Sequence, residues 1–126
     1  MKILVVDDDV VSRMVLMHLI DRCGSFEIVQ AQDGLDALQL LENGLRPALC
    51  FCDLRMPRLS GMQLLERVKT DPVLCTMPFV LMSVAAERAT MRQADDAGAS
   101  AYLVKPFGFE QVKAHLKALL ELMPPT

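Results

Sequence analysis

At 126 residues the chain fits a single domain of ordinary size, long enough to bury a core without disulfide or metal staples. A formal net charge of −3 with no block of basic residues leaves out the electrostatic footprint of a nucleic-acid binder, so no direct contact with nucleic acid is expected. A 52% hydrophobic content with one Tyr, five Phe and no Trp implies a core of Leu, Val, Met and Ala.

The opening Lys2-Ile3-Leu4-Val5-Val6 is a β-branched apolar run ended by Asp7-Asp8-Asp9, so a first strand carries carboxylates at its C-terminal end. It is too short for the apolar region of a signal peptide, and no apolar run of about 18 residues follows. A cytoplasmic chain without a membrane partner is expected. Asp9 is placed to cap a helix over roughly residues 10 to 23, with Val11, Met14, Val15, His18 and Leu19 at the helical period and Gly24 as the stop. Phe26 to Gln30 reads as a second strand. Asp33 then caps an amphipathic helix carrying Leu35, Leu38 and Leu41, closed by Gly44.

Ala48-Leu49-Cys50-Phe51-Cys52 is short and continuously apolar, as a strand buried on both faces should be, and it ends on Asp53. Pro57 and Gly61 punctuate the loop that follows. A third helix covers about Gly61 to Thr70, with Met62, Leu65 and Val68 inward and Pro72 preventing its continuation. Phe79 to Ser83 is a fourth strand that closes on a hydroxyl rather than an acid. The helix expected over Glu87 to Ala97 offers mostly Ala to the core, with Met91 its one large apolar candidate, so it should bury little and be weakly held. Ala101 to Val104 forms a fifth strand ended by Lys105-Pro106, and Phe109 to Met123 a last helix with Val112, Leu116, Leu119, Leu120 and Met123 at helical spacing. The domain is assigned to residues 1–123, with 124–126 a tail or the start of a linker.

Cysteines at 23, 50, 52 and 75 show no Cys-x-x-Cys spacing, and a disulfide between Cys50 and Cys52 at i and i+2 of one strand is geometrically poor. They read as free thiols, two of them in the core.

Five strands alternating with five helices specify an α/β fold, a parallel sheet covered by helices on both faces, for which the expected order is the flavodoxin-like 2-1-3-4-5. In that order strands one and three flank the topological switch point, so Asp7, Asp8 and Asp53 converge on one crevice. Each pair of carboxylates crowded there repels by ~3–4 kcal/mol at an effective dielectric of about 20 unless a cation intervenes. Oxygen-only ligands favour a hard divalent ion, Mg2+ with Mn2+ as a substitute. Lys105 adds an ammonium and Ser83 a hydroxyl at the same edge, which together suit a phosphoryl group. Neither a G-x-x-x-x-G-K-[ST] nor a G-x-G-x-x-G cradle is present, so the phosphoryl group is expected to be covalent, on Asp53 as nucleophile.

Val6-Asp7-Asp8, Asp53 followed by Met56-Pro57 and Gly61, Ser83, Gly98-Ala99, Tyr102 and Lys105-Pro106-Phe107 together resemble the receiver domain of bacterial two-component response regulators of the chemotaxis type, over nearly the whole chain. The resemblance implies that Asp53 accepts a phosphoryl group from a sensor histidine kinase or phosphotransfer protein, and that the chain catalyses only its own phosphorylation and dephosphorylation. By the same resemblance Asp8, Asp53 and the Arg55 backbone carbonyl bind Mg2+ directly and Asp7 does so through water. Lys105 and Ser83 contact phosphoryl oxygens, and the Lys105–Pro106 bond is cis. Ser83 and Tyr102 then act as a switch that reshapes the fourth helix, fifth strand and fifth helix, the surface read by an effector, a covalently linked output domain or a second copy of the chain.

Two positions depart from the common pattern. Val84 replaces a small residue beside the phosphoryl site and is expected to restrict donors or water. The Arg55 side chain either pairs with the phosphoryl group or lies in solvent. Among other classes, a haloacid-dehalogenase-like phosphatase leaves Asp53 unexplained, and a flavodoxin-type binder lacks its phosphate loop. A histidine phosphotransfer domain would be all-helical. The alternative carried forward is a receiver-like interaction module that works without phosphorylation.

Overall fold

A computed structural model describes residues 1–84 and 87–121. Five parallel strands, β1 (Lys2–Val6), β2 (Glu27–Ala31), β3 (Leu49–Asp53), β4 (Phe79–Ser83) and β5 (Ala101–Val104), alternate with helices α1 (Val10–Asp21), α2 (Gly34–Glu42), α3 (Gly61–Thr70), α4 (Arg88–Asp96) and α5 (Phe109–Glu121). The strand order is β2-β1-β3-β4-β5, as expected.

The apolar runs form strands because both faces are covered. One core layer joins Leu4, Val6, Cys50, Cys52, Phe79 and Leu81 to Leu38 and Leu41 of α2 and Leu64, Leu65 and Val68 of α3. On the opposite face Ile3, Val5, Phe51, Val80 and Met82 pack on Leu16 and Ile20 of α1 and Val112, Leu116 and Leu119 of α5. Side-chain alternation along each strand sends neighbouring residues into different layers. Cys50 and Cys52 lie in the first layer as free thiols, and burial pushes both well above the ordinary cysteine range.

Two helix starts follow the anticipated caps. The Asp9 carboxylate accepts the Val11 and Ser12 N–H groups, and Asp33 accepts that of Asp36. Ser60 and Gln63 complete a capping box at α3.

Three expectations of inward faces need correction. In α1 the buried residues are Leu16 and Ile20, while Val11, Met14 and Val15 are more than half exposed and His18 is also exposed. Apolar residues surround this helix, so spacing left its orientation open, and packing against α5 decided it. Leu35 is exposed because Gly34, Ala37, Leu38 and Leu41 form the buried stripe of α2. In α4 only Ala94 is buried and Met91 is exposed. A fully buried Leu contributes about 1.5–3 kcal/mol, and α4 has none, so its weak anchoring stands. Met123 and the tail at 124–126 lie outside the described residues.

Candidate functional site

Strand register builds the site. Val6 of β1 is opposite Cys52 of β3, so the residues that follow, Asp7 and Asp53, emerge side by side at the carboxyl edge. Carboxylate oxygens of Asp7, Asp8 and Asp53 all lie within 4.8 Å of one another. Asp9, the remaining acid of the run, is occupied as the α1 cap.

Lys105 follows β5, and its backbone N–H donates to the Ser83 carbonyl at 2.8 Å, which fixes it at the end of β4. From there its side chain reaches toward β3 and β1. The Lys105 Nζ lies 3.0 Å from Asp7 Oδ2 and 3.3 Å from Asp53 Oδ1, an ion triad in which one ammonium compensates two of the three acids. Asp7 is buried, and its other oxygen accepts the Asp9 N–H at 3.0 Å. Burial raises the Asp53 carboxyl above its ordinary value; Lys105 opposes this, and the Asp7 and Asp8 charges add to it. Burial alone would lower Lys105, but its bonds to Asp7 and Asp53 hold the ammonium above the usual lysine value.

Ser83 is buried at the end of β4, and Tyr102, in register with Leu81, is half-buried on β5. Arg55 lies two residues past Asp53 with its side chain exposed. The Lys105–Pro106 peptide is cis. Beside the triad lies a cleft of about 320 Å³, walled by Val11, Val15, Val84 and Phe107 and floored by Asp7 and Lys105.

Two tethers were not anticipated. Arg13 donates from Nη1 to the Asp7 carbonyl at 2.6 Å and from Nε to Gln30 at 3.0 Å, bracing the end of β1. Its position four residues after the Asp9 cap, one helical turn on, was the available signal. Arg58 pairs with Asp33 across the β3–α3 loop, and no spacing rule links residues so far apart.

The donor set fits a divalent cation. Three carboxylates converge without a His or Cys among them, which suits a hard ion that keeps several waters. Among the described residues no helix is long and apolar enough to cross a membrane.

Comparison with known proteins agrees with this geometry. Residues 3–117 match the family model of the response regulator receiver domain. A Rhizobium etli protein named "Probable chemotaxis protein CheY" is 31% identical over 118 residues, covering 94% of this chain and 91% of its own. The crystal structure of the receiver domain of NtrX from Brucella abortus is 29% identical, covers 96% of this chain and 99% of its own, and superposes with a TM-score of 0.86. The structure of the phosphorylated cyanobacterial phytochrome response regulator RcpA is 25% identical, covering 99% of this chain and 98% of its own with a TM-score of 0.85.

Proposed function

The chain belongs to the response regulator receiver domain family, and from that premise we propose that Asp53 is a phosphoacceptor whose modification switches the surface of α4, β5 and α5. One observation carries this reading: three carboxylates and the Lys105 ammonium converge at the carboxyl ends of β1, β3 and β5. The relative crystallised in a phosphorylated form has the same fold over nearly the whole chain.

Asp8, Asp53 and the Arg55 carbonyl would hold Mg2+ directly, and Asp7 through water. When bound, the ion offsets the negative charge on the transferring phosphoryl oxygens. The chain's own groups do the rest. A carboxylate oxygen of Asp53 forms a bond to phosphorus as the phosphorus–nitrogen bond of a phosphohistidine breaks; the electron pair returns to the imidazole nitrogen, which takes up a proton. Lys105 exchanges its contact with Asp53 for one with a phosphoryl oxygen, keeping its hold on Asp7. Val11 and Val15, exposed apolar residues on the wall of the cleft beside the site, would meet the surface of the kinase or phosphotransfer donor.

Phosphorylation adds charge and acceptor oxygens at Asp53. Ser83 would donate a hydrogen bond to them, and Tyr102 would turn inward, carrying weakly anchored α4 with it. The size of the shift is bounded by the difference in contact energy between the two states. The reader of that surface is an effector, a linked output domain or a second copy in a homodimer, and the chain acts in the cytoplasm.

Intact mass after incubation with Mg2+ and acetyl phosphate tests this directly. We expect one phosphate increment that is lost in Asp53→Ala. No increment with any donor, a phosphorylated kinase domain included, would leave the phosphorylation-independent docking module as the function.

A further inference from the structure

The loop between β3 and α3 contains a feature that its sequence neighbours do not require. Arg58 lies in the left-handed region at φ 69°, and Leu59 N–H donates back to the Pro57 carbonyl at 2.8 Å, closing a tight three-residue turn. Such a turn on a residue with a full side chain is strained, a strain glycine would avoid. An arginine persists there only if something outside the loop over-determines the bend.

Two adjacent contacts do so. The Arg58 guanidinium forks onto Asp33, with Nε 3.0 Å from Oδ2 and Nη2 3.1 Å from Oδ1. One residue further along each segment, the Leu59 carbonyl lies so close to Gly34 that a Cβ there would sit 2.3 Å from it. Residues 58 and 59 are thus locked against residues 33 and 34, the first turn of α2. The Asp33 carboxylate also accepts the Asp36 N–H at 2.8 Å, so it is held by its own helix. Planar bidentate pairing of this kind fixes direction as well as distance.

We propose that the Arg58–Asp33 fork is a latch that holds the β3–α3 loop in the strained turn and so pre-positions the Arg55 backbone carbonyl for the divalent cation. This rests on the reading of Asp8, Asp53 and the Arg55 carbonyl as cation ligands. Arg58 and Asp33 act as positioning residues: they touch neither cation nor phosphoryl group. The latch sets cation affinity, while its contribution to fold stability is small because the guanidinium is half in solvent.

Calorimetric titration of MgCl2 into the full chain tests this, with the urea midpoint of the metal-free protein measured in parallel. Arg58→Gly keeps the backbone able to adopt the turn but removes the fork, and Asp33→Asn keeps a competent helix cap but not the bidentate carboxylate. Each should weaken Mg2+ by about tenfold, the lower end for groups that orient metal ligands. The double variant should be no weaker than either, because both remove the same element. The urea midpoint should stay close to wild type in Asp33→Asn and should not fall in Arg58→Gly, where relief of the strained φ offsets loss of the half-exposed fork. Additive losses in the double variant, or losses that track urea midpoints, would overturn the latch. So would unchanged Mg2+ affinity in both singles while Asp8→Ala abolishes binding, and the cation reading would then stand alone. If Asp8→Ala left Mg2+ affinity unchanged, the cation reading and the latch would fall together.

Discussion

Lys105 Nζ lies 3.0 Å from Asp7 Oδ2, joining residues 98 positions apart in sequence at the floor of the cleft. The same ammonium is 3.3 Å from Asp53 Oδ1, so one cation compensates two acids. Removing one partner of a buried pair costs about 3–5 kcal/mol; because the Lys105 side chain keeps some solvent access, we expect Lys105→Met to cost about 2 kcal/mol in metal-free buffer. Mg2+ should restore most of that loss by supplying the missing positive charge. Thermal melts with and without Mg2+ check it, and an unchanged metal-free Tm would refute the compensating role. The folded-state value of Lys105 is raised, so the stability it provides is present throughout the neutral range and is lost only as pH climbs above the usual lysine value of 10.5.

Asp53 has the opposite effect on stability at neutral pH. Its carboxyl is raised in the fold, so between the unfolded value of 3.8 and the folded one the native state holds more protons. Stability therefore falls as pH rises through that window, and above it the ionised side chain is a standing penalty in the metal-free protein. Asp53→Asn should remove the penalty and raise the metal-free Tm at pH 7. The difference should shrink on acidification. Asp33 runs the other way: hydrogen bonds from the Asp36 N–H and Arg58 lower its carboxyl, and the stability it contributes is lost as pH falls below 3.8. Tm measured from about pH 3 to about pH 7 in both proteins separates the two effects. An Asn variant less stable than wild type at pH 7 would contradict the assignment.

Strand ends were legible because an apolar run terminated by Asp7 or Asp53 needs no tertiary information, and the sheet order then placed the two acids together. Caps at Asp9 and Asp33 were legible for the same local reason. The buried face of α1 was not, since Val10, Val11, Met14, Val15, Leu16, Leu19 and Ile20 leave few polar positions to mark the outside. Which of them turned inward depended on α5, about a hundred residues away in sequence. Lys105 was recognisable as a site residue, yet its pairing with Asp7 depends on how far the side chain reaches past β4. Arg58 gave no signal at all, because its positive φ belongs to a residue type that rarely adopts it.

Gly61 marks where α3 presses on the end of β3. A Cβ at this position would lie 2.2 Å from the Asp53 carbonyl oxygen and 3.0 Å from Leu54 Cα, both backbone atoms that cannot turn aside. Gly→Ala inside a helix ordinarily stabilises by roughly 0.5–1 kcal/mol. Here overpacking dominates, and Gly61→Ala should instead cost about 1–3 kcal/mol. Because the strain falls on the Asp53 backbone, acetyl phosphate labelling should slow as well. A variant that melts higher than wild type would show that the close approach relaxes without consequence.

Val84 is three-quarters exposed at the rim of the cleft, directly after Ser83 and on the same wall as Val11 and Phe107. A β-branched side chain there narrows the path by which a small donor or a hydrolytic water reaches the floor formed by Asp7 and Lys105. Val84→Ala should therefore speed acetyl phosphate labelling, loss of the phosphoryl group, or both, by several-fold. Stability should move by less than about 0.5 kcal/mol, as for most exposed positions. Val84→Thr separates shape from polarity, since it keeps the branched outline and exchanges a methyl for a hydroxyl. If shape sets the rate, the Thr variant stays slow while the Ala variant is fast; a fast Thr variant would instead assign the effect to how the rim holds water. Wild-type rates in Val84→Ala would remove this residue from the account of phosphoryl access.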